Sequence, residues 1–223
     1  MTRKPIHVFS DFDGTITSHD TLIFLTTRLG GGAAMIDAMS RLLREGELSL
    51  RDCIAGEMRS IRAPFAEAVE LLRAEVKVDP GFAPMAAWLA AEQIPLTVLS
   101  AGFHQLIEQF LDPHDFPGMN ILANQLHPDQ QRGWQCEFRD QTEYGHDKTV
   151  AVRQAKAGGF HTIFIGDGFS DRAPAAVADE LYAKHRLADY CRAEKIPFQP
   201  YDSFADVLRD LRDRHDRTEG AAS

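Results

Sequence analysis

The chain has 223 residues, 44% hydrophobic and 26% charged, with a net charge of −9, the composition of an ordinary globular protein large enough to bury a real core. The acidic balance, with no basic stripe, argues against non-specific binding to nucleic acid or anionic lipid. No uncharged run reaches the roughly 18 residues of a membrane span, and the apolar run after Arg3 and Lys4 is too short for a signal peptide before Asp11 interrupts it; a cytoplasmic location is expected.

The first expected strand is HVFS at 7–10, which runs straight into Asp11 and Asp13. In extended geometry these two carboxylates share a side, and their repulsion calls for a bound cation or a shared proton. From 17 to 78 the pattern is helical throughout: TLIFLTTRL, AMIDAMSRLLREG, SLRDCIAGEMRSI and PFAEAVELLRAEV. That is far more chain than one crossover needs, and it reads as a helical insertion over the strand ends. DPGF at 79–82 then turns the chain back. Further strands are expected at 96–100 (LTVLS), 120–124 (NILAN), 162–167 (TIFIGD) and 180–183 (ELYA), with helices at 85–91, 105–111, 149–157 and 172–178. Short apolar runs alternating with helical patterns predict an α/β protein with a Rossmann-like parallel sheet covered on both faces. Residues 127–146 read as a hairpin or long loop, and 217–223 as a disordered tail. Cys53, Cys136 and Cys191 are far apart with no CxxC, which indicates neither a disulfide framework nor a zinc site and leaves buried thiols as the expectation.

In such sheets the ligand sits beyond the carboxyl ends of the strands, so Asp11, Ser100 and Asp167 are expected at one rim. The DxDG of Asp11–Gly14 is not a calcium loop, because Ile16 stands where that loop needs Gly and Leu22 where it needs a bidentate Glu. GDGFSD places Asp167 at a strand end with Asp171 four residues on. LSAGF contributes a hydroxyl and small residues at a strand end, and HDKTV a lysine opening a helix. Carboxylates for a hard cation, together with a hydroxyl, free amides and an ammonium for anionic oxygens, make a phosphate site. The nine histidines form no HxH or HExxH, so a zinc hydrolase is not indicated. His104 follows the Ser100 loop and is expected on the surface more than in the pocket. Asp20 stands where a helix N-cap belongs, with substrate contact as the other reading. Arg51, Glu57 and Arg59 are read as a solvated helical face more than as cap residues reaching the substrate.

With DFDGT, Ser100, Lys148 and Gly166–Asp171 in this order, nearly the whole chain resembles the haloacid dehalogenase superfamily of phosphohydrolases, and the insertion resembles its C1-type cap. The resemblance implies a core over 1–16 and 79–216 and a cap over 17–78. It implies that Asp11 is the nucleophile, forming an aspartyl-phosphate, and that Asp13 is the general acid and base. Magnesium would be held by Asp11, the Asp13 main-chain carbonyl and Asp167. Ser100, the amides of Ala101 and Gly102, and Lys148 would hold the phosphoryl group, while Asp171 would orient Lys148 or a metal-bound water. The acid at position 13 sets the chain apart from the dehalogenase branch. DFDGTITSHDT and the run over 166–204 resemble the enolase-phosphate phosphatases of methionine salvage. Phosphoserine phosphatases are related, although they usually carry Glu at position 20 and Asn at position 170. The expected partner is a small phosphorylated metabolite, and monomer or homodimer are both open. The rival readings are transfer of the phosphoryl group to another hydroxyl and, more distantly, a phosphoacceptor signalling module.

Overall fold

The computed structural model describes residues 4–112 and 114–220; positions 1–3, 113 and 221–223 lie outside it, and with them the ends of the expected core and tail. The strands are β1 (Ile6–Ser10), β2 (Leu96–Phe103), β3 (Met119–His127), β4 (Gln135–Glu137), β5 (His161–Gly166), β6 (Glu180–Ala183) and β7 (Gln199–Pro200). They form one sheet in the order β4-β3-β2-β1-β5-β6-β7, parallel except for the β3–β4 pair. Leaving β4 aside, this is the doubly wound arrangement in which strand order reverses beside β1, and the crevice at that reversal is where such sheets bind ligands.

The helices are α1 (Thr21–Leu29), α2 (Gly32–Glu45), α3 (Leu50–Ser60), α4 (Phe65–Glu75), α5 (Phe82–Ala91), α6 (His104–Ile107), α7 (Lys148–Ala157), α8 (Arg172–Ala175), α9 (His185–Glu194) and α10 (Phe204–Gly220). None among the described residues is long and apolar enough to cross a membrane. Successive strand residues feed opposite faces. Val8, Val98 and Ile163 pack with Phe82, Leu89, Phe204 and Leu211 of α5 and α10, whereas Phe9, Leu99 and Phe164 pack with Val152, Leu187 and Cys191 of α7 and α9. Covered on both faces, β2 is buried along its whole length, which is why it reads as a continuous apolar run.

Helices α1–α4 gather a third core, in which Leu22, Leu25, Ile54, Met58 and Leu72 meet Phe103, Leu126 and Trp134 from the β2 end and the β3–β4 segment. The chain enters and leaves this helical roof through one antiparallel bridge, Thr17 to Val78. The segment 127–146 is a hairpin at its start, where β3 turns back into β4, and a loop beyond. It buttresses the roof: the Trp134 indole donates to the Ala63 carbonyl at 3.0 Å and its amide to Ile61 at 3.2 Å. Cys53 and Cys191 are buried thiols, as expected; Cys136 is half-buried.

Several elements differ from the sequence reading. The helix expected at 105–111 is only α6, continued by turn bonds from Phe110 and Leu111 to Ile107. Strand β4 was read only as an arm of a hairpin or as loop, and β7, too short and polar to show an apolar run, was not expected. The same holds for α9 and α10, in which the buried Leu187, Ala188 and Cys191, and Phe204, Val207, Leu208 and Leu211, make narrow stripes among charged residues. Helix α10 continues to Gly220, into the stretch read as a disordered tail, because nothing before that glycine breaks the helix; 221–223 lie outside the described residues.

Candidate active site

Two strand ends and a bulge assemble the rim. Asp11 follows β1 directly, its amide held by the Ile165 carbonyl of β5 at 2.9 Å, and Asp167 follows β5, so the two acids stand side by side at the strand-order reversal. Gly14 takes a left-handed φ of 77°, and a Cβ there would come within 2.8 Å of Asp167 Oδ2, which is why the motif needs glycine at this position. On β2 the register slips between Leu99 and Phe103, whose partners Leu122 and Asn124 are only two apart on β3. The resulting bulge lifts Ser100, Ala101 and Gly102 out of the ladder and re-aims them.

Lys148, the first residue of α7, is fully buried and reaches three oxygens: Asp11 Oδ1 at 2.5 Å, Asp171 Oδ1 at 2.7 Å and Ser170 Oγ at 3.2 Å. Burial alone would depress its pKa; Asp11 and Asp171 more than reverse that and hold the ammonium charged. Asp171 Oδ2 accepts the amides of Asp167 and Gly168, each at 3.0 Å, so both of its oxygens are engaged and it positions the lysine and the GDG turn. Asp11 is raised well above the usual carboxylate range by burial first and Asp171 next, with Lys148 opposing. Half-buried Asp13 accepts the Thr21 amide at 2.9 Å and its hydroxyl at 2.5 Å, and Ser100 Oγ stands 3.4 Å from its other oxygen. Burial, with Asp20 adding repulsion and the Thr21 bonds opposing, pushes Asp13 up to about 7, where a carboxyl can both give and take a proton near neutrality.

Asp11, Asp13, Ala101, Gly102 and Asp167 line a cleft of about 290 Å³, roofed by residues of α1, α2 and α3. Ser100 and Lys148 stand behind its wall. The Gly102 amide is donated to Ser100 Oγ at 2.8 Å, so in this arrangement it is already spent. Asp20 caps α1, its Oδ1 accepting from Leu22 and Ile23 at 3.0 and 2.9 Å, and it also faces the cleft.

Carboxylate oxygens of Asp11, Asp167 and Asp171 lie within 4.8 Å of one another. With Asp171 engaged, Asp11 and Asp167 remain: the second oxygen of Asp11 and the main-chain carbonyl of Asp13 accept no hydrogen bond from the described residues. Asp167 is bonded by Thr15 at 3.0 Å and faces His185 at 3.6 Å, yet burial and Asp171 still raise its pKa. A buried acidic rim short of positive charge, with carboxylate and carbonyl oxygens open, fits a hard divalent cation.

Thr15, the last residue of DFDGT, orients Asp167. Several other contributors had no signal in the sequence. Thr21 orients Asp13. The imidazole of His146 lies 2.8 Å from the Ser100 carbonyl and Asn124 donates to Ala101 at 2.7 Å, which together fix the bulge. Lys184 donates to the Thr15 carbonyl at 3.1 Å. Of the residues read as a solvated face, Arg59 is exposed and Arg51 turns to Gln141 and Phe138. Glu57 is the correction: it is buried and lines the cleft. The available signal was its place on the stripe of Cys53, Ile54 and Met58. His104 pairs with Glu108 at 3.2 Å and stays outside the cleft.

Known proteins resemble this chain in sequence and in fold. The family model described as haloacid dehalogenase-like hydrolase matches residues 8–176, and the chain belongs to that family. It is 34% identical over 222 residues to Pdp3-interacting factor 1 of Schizosaccharomyces pombe, covering 94% of this chain and 96% of that one. It is 28% identical to the polyol phosphate phosphatase PYP1 of Saccharomyces cerevisiae, covering 92% of each, and 25% identical to a 2-hydroxy-3-keto-5-methylthiopentenyl-1-phosphate phosphatase of Brevibacillus brevis, covering 95% and 97%. A phosphoserine phosphatase solved as a phospho-aspartyl intermediate analogue superposes with a TM-score of 0.68 at 16% identity, over 93% of this chain and 99% of that one, which establishes the shared fold.

Proposed function

We propose that the chain is a phosphomonoesterase working through an aspartyl-phosphate, with 1–16 and 79–216 as its core and 17–78 as a cap, acting in the cytoplasm on a small phosphorylated metabolite. The observation that carries this reading is the pairing of Asp11, neutralised by Lys148, with Asp13 two residues on and poised at about 7. A carboxylate oxygen of Asp11 attacks phosphorus in line, and the ester bond to the leaving oxygen breaks as Asp13 gives that oxygen its proton. Water then attacks the same phosphorus, Asp13 takes the proton back, and Asp11 and inorganic phosphate are released. Lys148 offsets the charge that keeps two anions apart, and Ser100 with the Ala101 and Gly102 amides receives phosphoryl oxygens once the Gly102–Ser100 bond opens. A bound divalent cation, which we assign as magnesium held by Asp11, Asp167 and the Asp13 carbonyl, supplies further neutralisation of the phosphoryl oxygens.

The names of the relatives and the cleft size support a small ester, with the enolase-phosphate of methionine salvage and polyol phosphates as the first candidates. The test is phosphate release from a panel of these esters, phosphoserine and an aryl phosphate, with magnesium, with chelator and in Asp11→Asn. Chelator-sensitive turnover that falls on the order of 10⁴-fold in the folded variant is expected. Turnover surviving in Asp11→Asn would overturn the mechanism, and phosphoryl transfer to an added alcohol in preference to water would make the protein a transferase.

A further inference from the structure

The roof carries one group the mechanism does not use. Glu57 of α3 is 9% exposed, and among the described residues its carboxyl has neither a hydrogen-bond partner nor an ion pair. Its oxygens are not sealed away: they open onto the cleft, where water or a bound ligand is the available partner. On the roof side the cleft is lined chiefly by apolar residues, among them Leu22, Met39, Leu43, Leu50 and Ile54; no lysine or arginine from residues 17–78 lines it, and His185 and Arg186 of α9 supply its basic side. Burial, reinforced by Asp20, pushes Glu57 up to about 8, which favours the protonated acid near neutrality, a form that both donates and accepts.

Those surroundings discriminate among leaving groups. A carboxylate there meets the repulsion of Asp20, since His185 and Arg186, basic residues that line the cleft, come from α9 and Arg186 already acts on Asp20, and an ammonium would gain a counter-ion only by ionising the buried Glu57. A hydroxyl satisfies the orphan carboxyl without bringing charge, while the remaining carbons of the ester pack on leucine and isoleucine. We propose that Glu57 is the specificity-determining residue of the roof, binding a hydroxyl of the leaving group, and that the preferred substrates are small phosphomonoesters of uncharged, hydroxylated alcohols. This rests on the phosphatase reading given above and extends it to the substrate class.

The experiment compares kcat/KM for glycerol 3-phosphate, propyl phosphate, phosphoethanolamine and 3-phosphoglycerate in the wild type, Glu57→Leu and Glu57→Gln, with an aryl phosphate reporting whether the chemical machinery works. The wild type is expected to favour glycerol 3-phosphate over propyl phosphate by about tenfold or more, the worth of one well-placed hydrogen bond, and over both charged esters. Glu57→Leu, whose side chain suits the apolar wall, should bring the glycerol-to-propyl ratio close to one, mainly through KM, and Glu57→Gln, which keeps a donor and an acceptor, should retain most of it. A ratio unmoved in folded Glu57→Leu, or a wild-type preference for the amine or the carboxylate, overturns the assignment while the aryl phosphate is still turned over. Failure on every ester including the aryl phosphate overturns the phosphatase reading and this inference together.

Discussion

The rim of the sheet and the helical roof are built on opposite terms. At the rim the charged side chains are tied down inside the protein, with the second Asp11 oxygen and the Asp13 carbonyl left open among the described residues: Lys148 spans Asp11, Asp171 and Ser170, Asp171 bonds two amides and Asp13 is held by Thr21. The roof is apolar packing over the same cleft, and Glu57, the one acid buried in it among the described residues, has no partner among them. On the proposed function, the difference separates two tasks. Chemistry common to all esters needs groups fixed before the substrate arrives, because pre-organised charge costs no rearrangement in the transition state. Choice among esters needs a group whose satisfaction depends on which substrate arrives.

The largest expected effect tests the saturated side. Lys148→Met leaves Asp11 and Asp171 without their cation; turnover should fall on the order of 10³-fold, and stability by roughly 3–5 kcal/mol, the usual loss when one partner of a buried ion pair is removed. Phosphate release and urea unfolding measure the two, and a variant as stable and active as the wild type would show that the rim is not balanced by this lysine. Next comes the packed side. Met58, fully buried in the roof, should cost roughly 2–5 kcal/mol as Met58→Ala, while aryl phosphate turnover by the folded variant drops far less than in Lys148→Met. Equal losses of turnover would erase the division of labour.

The smallest effect concerns acid stability near the bulge. Burial lowers His146 to about 4 from an ordinary 6.5, so the unfolded chain takes up this proton before the folded one does. Its contribution is therefore complete above about pH 6.5 and is lost as pH falls towards 4, with a slope approaching about 1.4 kcal/mol per pH unit. Denaturation across that window, taken as the difference from His146→Asn, should show this slope, and a flat difference would mean that the imidazole is already charged in the fold.

Much of this architecture could be read from the chain because buried parallel strands write themselves plainly. β1, β2, β3, β5 and β6 are apolar runs that end in small or polar residues, and those ends are where the rim lies. The acids, Ser100 and Lys148 were legible for the same reason, each sitting where a strand stops or a helix starts. Gln135–Glu137 and Gln199–Pro200 sit at the two edges of the sheet, where pairing on one side asks little of the side chains, and they leave no pattern. Thr21, Asn124 and His146 matter through distances of the folded chain, which no local spacing carries. Glu57 was misread through its charge, although its position on the stripe of Cys53, Ile54 and Met58 marked it as buried.

The bridge between Thr17 and Val78 has a bearing on ancestry. Seen from the sheet, the four helices are one long excursion whose ends meet at neighbouring residues, and the entropy of closing such an excursion grows only logarithmically with its length. A lineage could thus lengthen, shorten or exchange the excursion without shifting the register of any strand, so that new substrates can be tried over an inherited catalytic base.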